Sequence, residues 1–207
     1  MRQVVRIRYT IGMPNVWVIG GANGAGKSTF ARYVLPTELP FLNADEIAKA
    51  LPDDFAGNRE LESGRQLLRR MDGYTASGAS FAVETTLASR SLVPRLRDLQ
   101  AMGYTVILHY IWVPSPLVSV ERVASRVRSG GHDIPESTIH RRYFAGLHNF
   151  FHTYAPIADR WRVYENPDFD APRLVVSRRT DGQVRVVNPK LWKHIQQQEQ
   201  QHEPADR

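Results

Sequence analysis

The sequence contains no cysteine, few lysines and no long apolar segment. Without cysteine, a disulfide framework and a thiolate metal site are excluded, and the chain is compatible with a reducing cytosol. No apolar run approaches the ~18 residues of a membrane-spanning helix, so no membrane association is expected. Arg6 and Arg8 interrupt the apolar residues of the N-terminal segment, which argues against a secretory signal. We therefore expect a cytoplasmic protein.

Because lysine is scarce, arginine supplies most of the positive side of the formal net charge of +6. A basic surface raises nucleic acid as a partner. The arginines are spread along the chain and do not alternate with aromatic residues in one block, which disfavours a nucleic-acid footprint without excluding one. A length of 207 residues fits one α/β domain, so residues 1–207 are predicted to form a single domain.

What is present is a phosphate-binding motif near the N-terminus. The segment GANGAGKS fits the template G-x-x-x-x-G-K-[ST], and it lies between a strand-like run and a helix-like run, as the motif requires. At average residue frequencies, a chance match in a chain of this length has a probability on the order of one per cent. Glycines let backbone N–H groups surround an anion at a helix N-terminus. The predicted nucleotide-binding residues are Gly21, Ala22, Asn23, Gly24, Ala25, Gly26, Lys27, Ser28 and Thr29.

Within this motif, each polar side chain has a distinct expected role. Lys27 should reach the β- and γ-phosphates of ATP, and the Ser28 hydroxyl should bind the Mg²⁺ that bridges them. Thr29 should lie near the α-phosphate. The sequence therefore predicts ATP and Mg²⁺ as cofactors.

Strand-like and helix-like segments alternate along the rest of the chain. This alternation predicts an open, mostly parallel sheet with helices on both faces, the P-loop NTPase class of α/β fold. Near the C-terminus, Thr180, Asp181 and Gly182 separate two alternating runs, which predicts a β-hairpin. Helix is expected over 135–153, and the polar residues 197–207 are expected to form a disordered tail.

Polar residues follow two of the predicted strands, where ligands of open parallel sheets bind. Asn43 and Asp45 follow one strand, and Glu84, Thr85 and Thr86 follow the next. Asp45 has three interpretations. It could cap a helix, belong with Glu46 to a Walker B element, or act as the base that deprotonates a substrate hydroxyl facing the γ-phosphate. The shortness of the strand before Asp45 favours its role as the base. The residues predicted to bind substrate are Asn43, Asp45, Glu84, Thr85 and Thr86.

Positive charge for phosphoryl transfer is expected from the segment around residues 122–142. Arg122, Arg126 and Arg128 lie at the end of one predicted helix, and Arg141 and Arg142 lie early in the next. Two or three of these arginines are expected to be functional. The glycines between them would allow hinge motion, so residues 129–142 are predicted to form a lid that closes on the phosphates. His132, within this lid, is a further candidate for contact with a phosphate or ribose.

Two histidines have the spacing of a metal-binding pair. His148 and His152 are four residues apart on a predicted helix. Because no H-E-x-x-H pattern and no third ligand is evident, we interpret them as core or surface residues.

The ordered motifs GGANGAGKSTF, NADEIA, FAVETTLAS, GYTVILHYIWV, RVASRVRSGGHDIP and IHRRYFAGLHNF resemble those of the compact zeta-toxin-like P-loop kinases. The resemblance covers residues 16–166. It implies transfer of the γ-phosphoryl group of ATP to a hydroxyl of a small molecule, such as the sugar nucleotide UDP-N-acetylglucosamine. It also implies a small antitoxin protein as partner.

By this resemblance, Lys27 corresponds to the phosphate-binding lysine, Asp45 to the catalytic base and Glu84 to a substrate-site carboxylate. Arg126 or Arg128, together with Arg141, corresponds to the lid arginines. The chain departs from the family in its smaller size, in Ser28 where many members have threonine, and in lacking a recognisable substrate platform near the C-terminus. A small ATPase, a nucleic-acid-directed kinase and a regulatory nucleotide-binding protein remain alternatives.

Overall fold

The computed structural model describes residues 12–52, 54–131, 133–166 and 172–201. Its centre is a seven-stranded sheet with the strand order β2-β3-β1-β4-β5-β6-β7. The first five strands are parallel, and the last two are antiparallel to their neighbours. The strands are β1 (Asn15–Gly20), β2 (Phe41–Leu42), β3 (Phe81–Thr85), β4 (Thr105–Trp112), β5 (Arg160–Glu165), β6 (Arg173–Arg178) and β7 (Val184–Val186).

Helices cover the two faces of this sheet. They are α1 (Lys27–Val34), α2 (Ala44–Lys49), α3 (Arg59–Ala76), α4 (Val93–Ala101), α5 (Pro116–Arg128), α6 (Glu136–Asn149), α7 (Ala155–Ile157) and α8 (Pro189–Gln201). One core contains Val16 and Val18 of β1 with residues of α3, α4 and α8, and the other contains Trp17 and Ile19 with residues of α1. Since alternate residues of a strand face opposite sides, this division is the expected one for a central parallel strand.

The predicted α/β fold class is confirmed, and so is the C-terminal hairpin. Strands β6 and β7 pair antiparallel, and the predicted turn lies between them. Among the described residues, no helix has both the length and the apolar character to cross a membrane.

One expectation about helices was incomplete and another was wrong. The helix predicted over 135–153 is not uniformly α-helical, because residues Phe150–Tyr154 form a π-helical turn that follows α6. Residues 197–201, predicted to belong to a disordered tail, instead form the last turns of α8. That helix is held to the core by Ile195, which is fully buried, so the glutamine-rich composition did not indicate disorder. Residues 202–207 lie outside the described part.

Candidate functional site

The phosphate-binding loop connects β1 to α1 at the carboxyl end of the central strand. Gly24 and Gly26 have φ angles of 75° and 88°, which residues with a Cβ rarely adopt. A Cβ on Gly24 would lie 2.8 Å from the Ser119 carbonyl oxygen, and one on Gly26 would overlap the Asn166 side chain. The loop therefore requires glycine at both positions, although the sequence motif predicts only Gly26.

At the start of α1, Lys27 is buried and Ser28 is half-buried, and both contact one carboxylate. The Lys27 ammonium donates a hydrogen bond to the Ala22 carbonyl oxygen at 2.9 Å and lies 3.5 Å from Glu84 Oε1. The Ser28 hydroxyl donates to Glu84 Oε2 at 2.7 Å. Glu84, near the end of β3, is thus the acidic partner of the two reactive side chains of the motif.

Asn43, directly after β2, joins this network and also begins α2. Its side-chain amide nitrogen donates to Glu84 Oε2 at 3.0 Å, and its side-chain oxygen accepts from the Asp45 backbone N–H at 2.8 Å. Asn43 is therefore the N-cap of α2, and the interpretation of Asp45 as a cap was wrong. The Asp45 carboxylate is exposed in the first turn of α2. Because Glu84 contacts Ser28, it occupies the place that the Walker B interpretation gave to Asp45 and Glu46.

Two clefts meet at these residues. The loop cleft, of about 350 Å³, is lined by Asn23, Gly24, Gly26, Lys27, Ser28, Thr29, Asp45, Glu84, Arg122, Ser125, Arg126 and Ser129. The outer cleft, of about 590 Å³, extends under α3, and its lining includes Asn43, Arg65, Thr85, Thr86, Ser89, Arg141 and Arg142. Asn23, Lys27, Asp45 and Glu84 line both clefts. A group bound by the loop can therefore face a second molecule across these side chains.

The structure separates the three predicted lid arginines. Arg126 lines the loop cleft and Arg141 lines the outer cleft, so the two lie on either side of the junction. Arg128 is exposed and is absent from both linings in the described part of the chain. The assignment of Arg128 to the site therefore lacks support. His132 lies outside the described residues.

The remaining predicted residues fall on the walls of the site. Thr85 and Thr86 line the outer cleft, where their hydroxyls also accept the backbone N–H groups of Leu87 and Ala88 at 3.1 and 3.4 Å. Ala22 and Ala25 are buried beneath the loop, and the Ala25 N–H donates to the Ala22 carbonyl at 3.1 Å. Gly21 packs against the Ile111 backbone of β4. These three residues shape the loop and face away from both clefts.

Two residues support the loop: Arg122, which the sequence suggested only as one of several arginines near the lid, and Asn166, which the sequence analysis missed. Arg122, buried on α5, donates to the Asn166 carbonyl oxygen at 2.8 Å and contacts the Gly24 carbonyl oxygen at 3.5 Å. The Asn166 side-chain amide donates to the Ala25 carbonyl oxygen at 2.8 Å. Asn166 directly follows β5, so the strand-end criterion that found Asn43 and Glu84 would also have found it.

This arrangement fits a nucleoside triphosphate with a divalent cation. The loop and the N-terminus of α1 supply backbone donors and a positive dipole for phosphate. Lys27 adds a buried positive charge, and the paired oxygens of Ser28 and Glu84 are ligands of the kind that Mg²⁺ prefers. Across the junction, Asp45 is a carboxylate that can accept a proton.

Comparison with known proteins agrees with this reading of the loop. The profile of a family described as an AAA domain matches residues 16–143. The chain belongs to this AAA-domain family. The match includes the phosphate-binding loop, the acidic strand end at Glu84 and the segment that was predicted to form a lid. A curated protein of Haemophilus influenzae, named only as an uncharacterized protein, is 28% identical over 123 residues, which cover 59% of this chain and 88% of that protein.

Solved structures share the fold at lower identity. The AvrRxo1-ORF1:-ORF2 complex with ATP superposes with a TM-score of 0.72 at 19% identity, over 89% of this chain. This chain spans 64% of the length of that neighbour. The PezAT chromosomal toxin-antitoxin system of Streptococcus pneumoniae superposes with a TM-score of 0.61 at 14% identity, over 96% of this chain and 89% of the matched chain. These likenesses establish a P-loop fold of the kind predicted.

Proposed function

We propose that this AAA-domain protein is a phosphotransferase that moves the γ-phosphoryl group of ATP to a hydroxyl of a small molecule. The observation that carries the proposal is the junction of two clefts at Lys27, Asp45 and Glu84. A hydrolase needs to admit only water at this point. A second cleft of about 590 Å³, open to the same residues, is large enough for an organic acceptor.

In this proposal, the loop cleft binds the phosphates of ATP. Backbone N–H groups of Asn23, Gly24 and residues 26–28 hold the β- and γ-phosphates. Lys27 exchanges Glu84 for phosphate oxygens as its negatively charged partner. Thr29 lies near the α-phosphate. Ser28 and Glu84 would hold Mg²⁺, which neutralises charge on the β- and γ-phosphates. The Glu84 carboxylate, expected from the sequence to contact substrate, thus has its main role on the nucleotide side.

Asp45 is the proposed base. Its exposed carboxylate lines the outer cleft, where it can accept the proton of an acceptor hydroxyl while the oxygen attacks the γ-phosphorus. Proton acceptance of this kind typically contributes a factor of about 10² to 10⁴ to the rate. Arg126 and Arg141, on either side of the junction, would stabilise the charge that spreads over the migrating phosphoryl oxygens.

The acceptor that we propose is anionic, and a sugar nucleotide such as UDP-N-acetylglucosamine is one candidate. Arg65, Arg141 and Arg142 line the outer cleft, with Glu60 as an opposing charge. Guanidinium groups pair well with phosphate, and the hydroxyls of Thr85, Thr86 and Ser89 can bond a sugar. We further propose a small antitoxin as a partner, because one neighbour is described as a toxin-antitoxin system.

The proposal is tested by incubating the purified protein with γ-labelled ATP and Mg²⁺, alone and with a panel of sugar nucleotides. Products are separated and the labelled species identified by mass analysis. We expect label on an organic acceptor. ATP hydrolysis that no acceptor stimulates would favour a small ATPase or a regulatory nucleotide-binding protein. Label transferred to an oligonucleotide would favour a nucleic-acid-directed kinase.

A further inference from the structure

Three side chains outside the clefts meet between α6, the π-helical turn and α8. Glu199 of α8 is buried, and its Oε1 atom lies 3.0 Å from His148 Nδ1 and 2.9 Å from His152 Nε2. The two imidazole rings are nearly parallel, with centroids 4.5 Å apart. The third potential ligand, which the sequence did not reveal, is therefore Glu199, 47 residues beyond His152 in the chain.

The positions of the three ligand atoms match the needs of a transition-metal ion. All three atoms lie within 4.8 Å of one another. Ligands of a tetrahedral zinc ion with bonds of about 2.0–2.1 Å are roughly 3.3 Å apart, so small side-chain movements would place an ion between them. Two imidazoles and one carboxylate form a ligand set that zinc uses in proteins, with a fourth position left for water.

The surroundings are consistent with such a site. The chain changes from α-helix to π-helix between His148 and His152, and short π-helical turns are frequent at functional sites. The His148 side chain is mostly buried and that of His152 is 51% exposed, so an ion could enter from the side of His152.

We propose that His148, His152 and Glu199 bind Zn²⁺ and that the ion fastens α8 to α6. Without metal, both ring nitrogens lie within hydrogen-bond distance of Glu199 Oε1, which accepts the ring N–H in the tautomers that carry a proton on these nitrogens. With metal, the same ring nitrogens would present their lone pairs and the protons would move to the opposite nitrogens. Gln198 of α8 already links this helix to α6, because its side-chain oxygen accepts a hydrogen bond from the Tyr143 hydroxyl of α6 at 2.9 Å. The same oxygen accepts from Trp112 Nε1 of β4 at 3.0 Å. The ion would thereby stabilise the packing behind α6, the helix that carries Arg141.

The test is a Zn²⁺ titration of the untagged full chain by calorimetry, repeated with Co²⁺ and visible absorption. We expect one ion per chain and the ligand-field absorption bands of low-coordinate Co²⁺. Zinc at a hundredfold excess over its dissociation constant should raise the melting temperature by about 5–10 °C. Mg²⁺ at the concentrations used with ATP should not compete, because it prefers oxygen ligands.

His152→Ala is the decisive variant, because its half-exposed side chain can be removed with little effect on folding. Its zinc affinity should fall by about a hundredfold or more, since loss of a ligand exceeds the 10–100-fold effect of losing a supporting residue. The matched control, His140→Ala, removes a histidine of α6 that lies outside the cluster and should bind zinc like the wild type. Glu199→Gln, checked by circular dichroism, should also weaken binding. Absence of binding to the wild type, or equal affinity of wild type and His152→Ala, would overturn the proposal.

Discussion

Replacing Glu84 with glutamine tests the charge network at the heart of the site. The substitution keeps the size of the side chain and one oxygen that can accept from Ser28 or Asn43. It removes the negative charge 3.5 Å from the Lys27 ammonium, whose side chain is only 6% exposed. In the absence of nucleotide, the variant therefore leaves a buried positive charge without its carboxylate.

The expected loss of stability follows from this burial. Two unit charges 3.5 Å apart interact by about 5 kcal/mol at an effective dielectric constant near 20. Removing one partner of a buried pair costs about 3–5 kcal/mol in other proteins. Because Lys27 keeps its hydrogen bond to the Ala22 carbonyl, we expect the free energy of unfolding to fall by about 3 kcal/mol.

The assay is denaturant unfolding of wild type and variant, with and without ATP, in the absence of Mg²⁺. Bound phosphate replaces the missing carboxylate as the counter-charge of Lys27. ATP should therefore reduce the difference in the free energy of unfolding between wild type and variant. Each reduction of this difference by about 1.4 kcal/mol corresponds to ATP binding that is tenfold tighter in the variant than in the wild type.

Glu46→Gln provides a matched control. It removes a carboxylate 2.7 Å from Lys49, but both side chains are more than half exposed, so the loss should stay below about 1 kcal/mol. If Glu84→Gln costs no more than this control, or if ATP leaves the difference unchanged, the proposed exchange of carboxylate for phosphate is wrong.

Three further predictions concern neighbouring parts of the structure. Burial lowers the pKa of His109 to about 3, so this residue should reduce the free energy of unfolding of the wild type by about 2 kcal/mol as pH falls from 6.5 to 5. His109→Leu should lack this loss when unfolding is measured at both pH values. Arg141→Ala should slow phosphoryl transfer with little change in ATP affinity, whereas Arg128→Ala should leave the transfer rate and the ATP affinity unchanged. Equal effects of the two variants in a transfer assay would contradict the placement of Arg141 at the site and Arg128 outside it. Gly26→Ala should weaken ATP binding in calorimetry and destabilise the fold by more than the ~1–2 kcal/mol that a residue with a Cβ costs in the left-handed conformation. Gly78→Ala, at φ 64° in open space, should reduce stability but leave ATP binding unchanged.

The loop and the strand ends could be predicted because their signals are local. Lys27 and Ser28 are fixed by a motif, and polar residues after parallel strands meet at one edge of any sheet of this class. The contact of Glu84 with Ser28 was not predictable in this way. It depends on β3 lying beside β1, and strand order is a property of the whole sheet.

Contacts between distant segments were missed for the same reason. Asn166 reaches the loop across 141 residues, and Glu199 reaches the histidines across about 50. Neither pairing leaves a periodic or spaced pattern in the sequence. The end of α8 was mistaken for a tail because its composition is polar, although Ile195 and Glu199 face the core.

The most direct test of the proposed chemistry is single-turnover phosphoryl transfer by Asp45→Asn, with ATP affinity measured on the same preparation. The variant keeps the size of the side chain and the backbone N–H that Asn43 accepts, so α2 should remain capped. If Asp45 is the base, transfer slows by a factor of about 100 or more while ATP binds with unchanged affinity. Transfer at the wild-type rate would contradict the account and move the base to another residue of the junction.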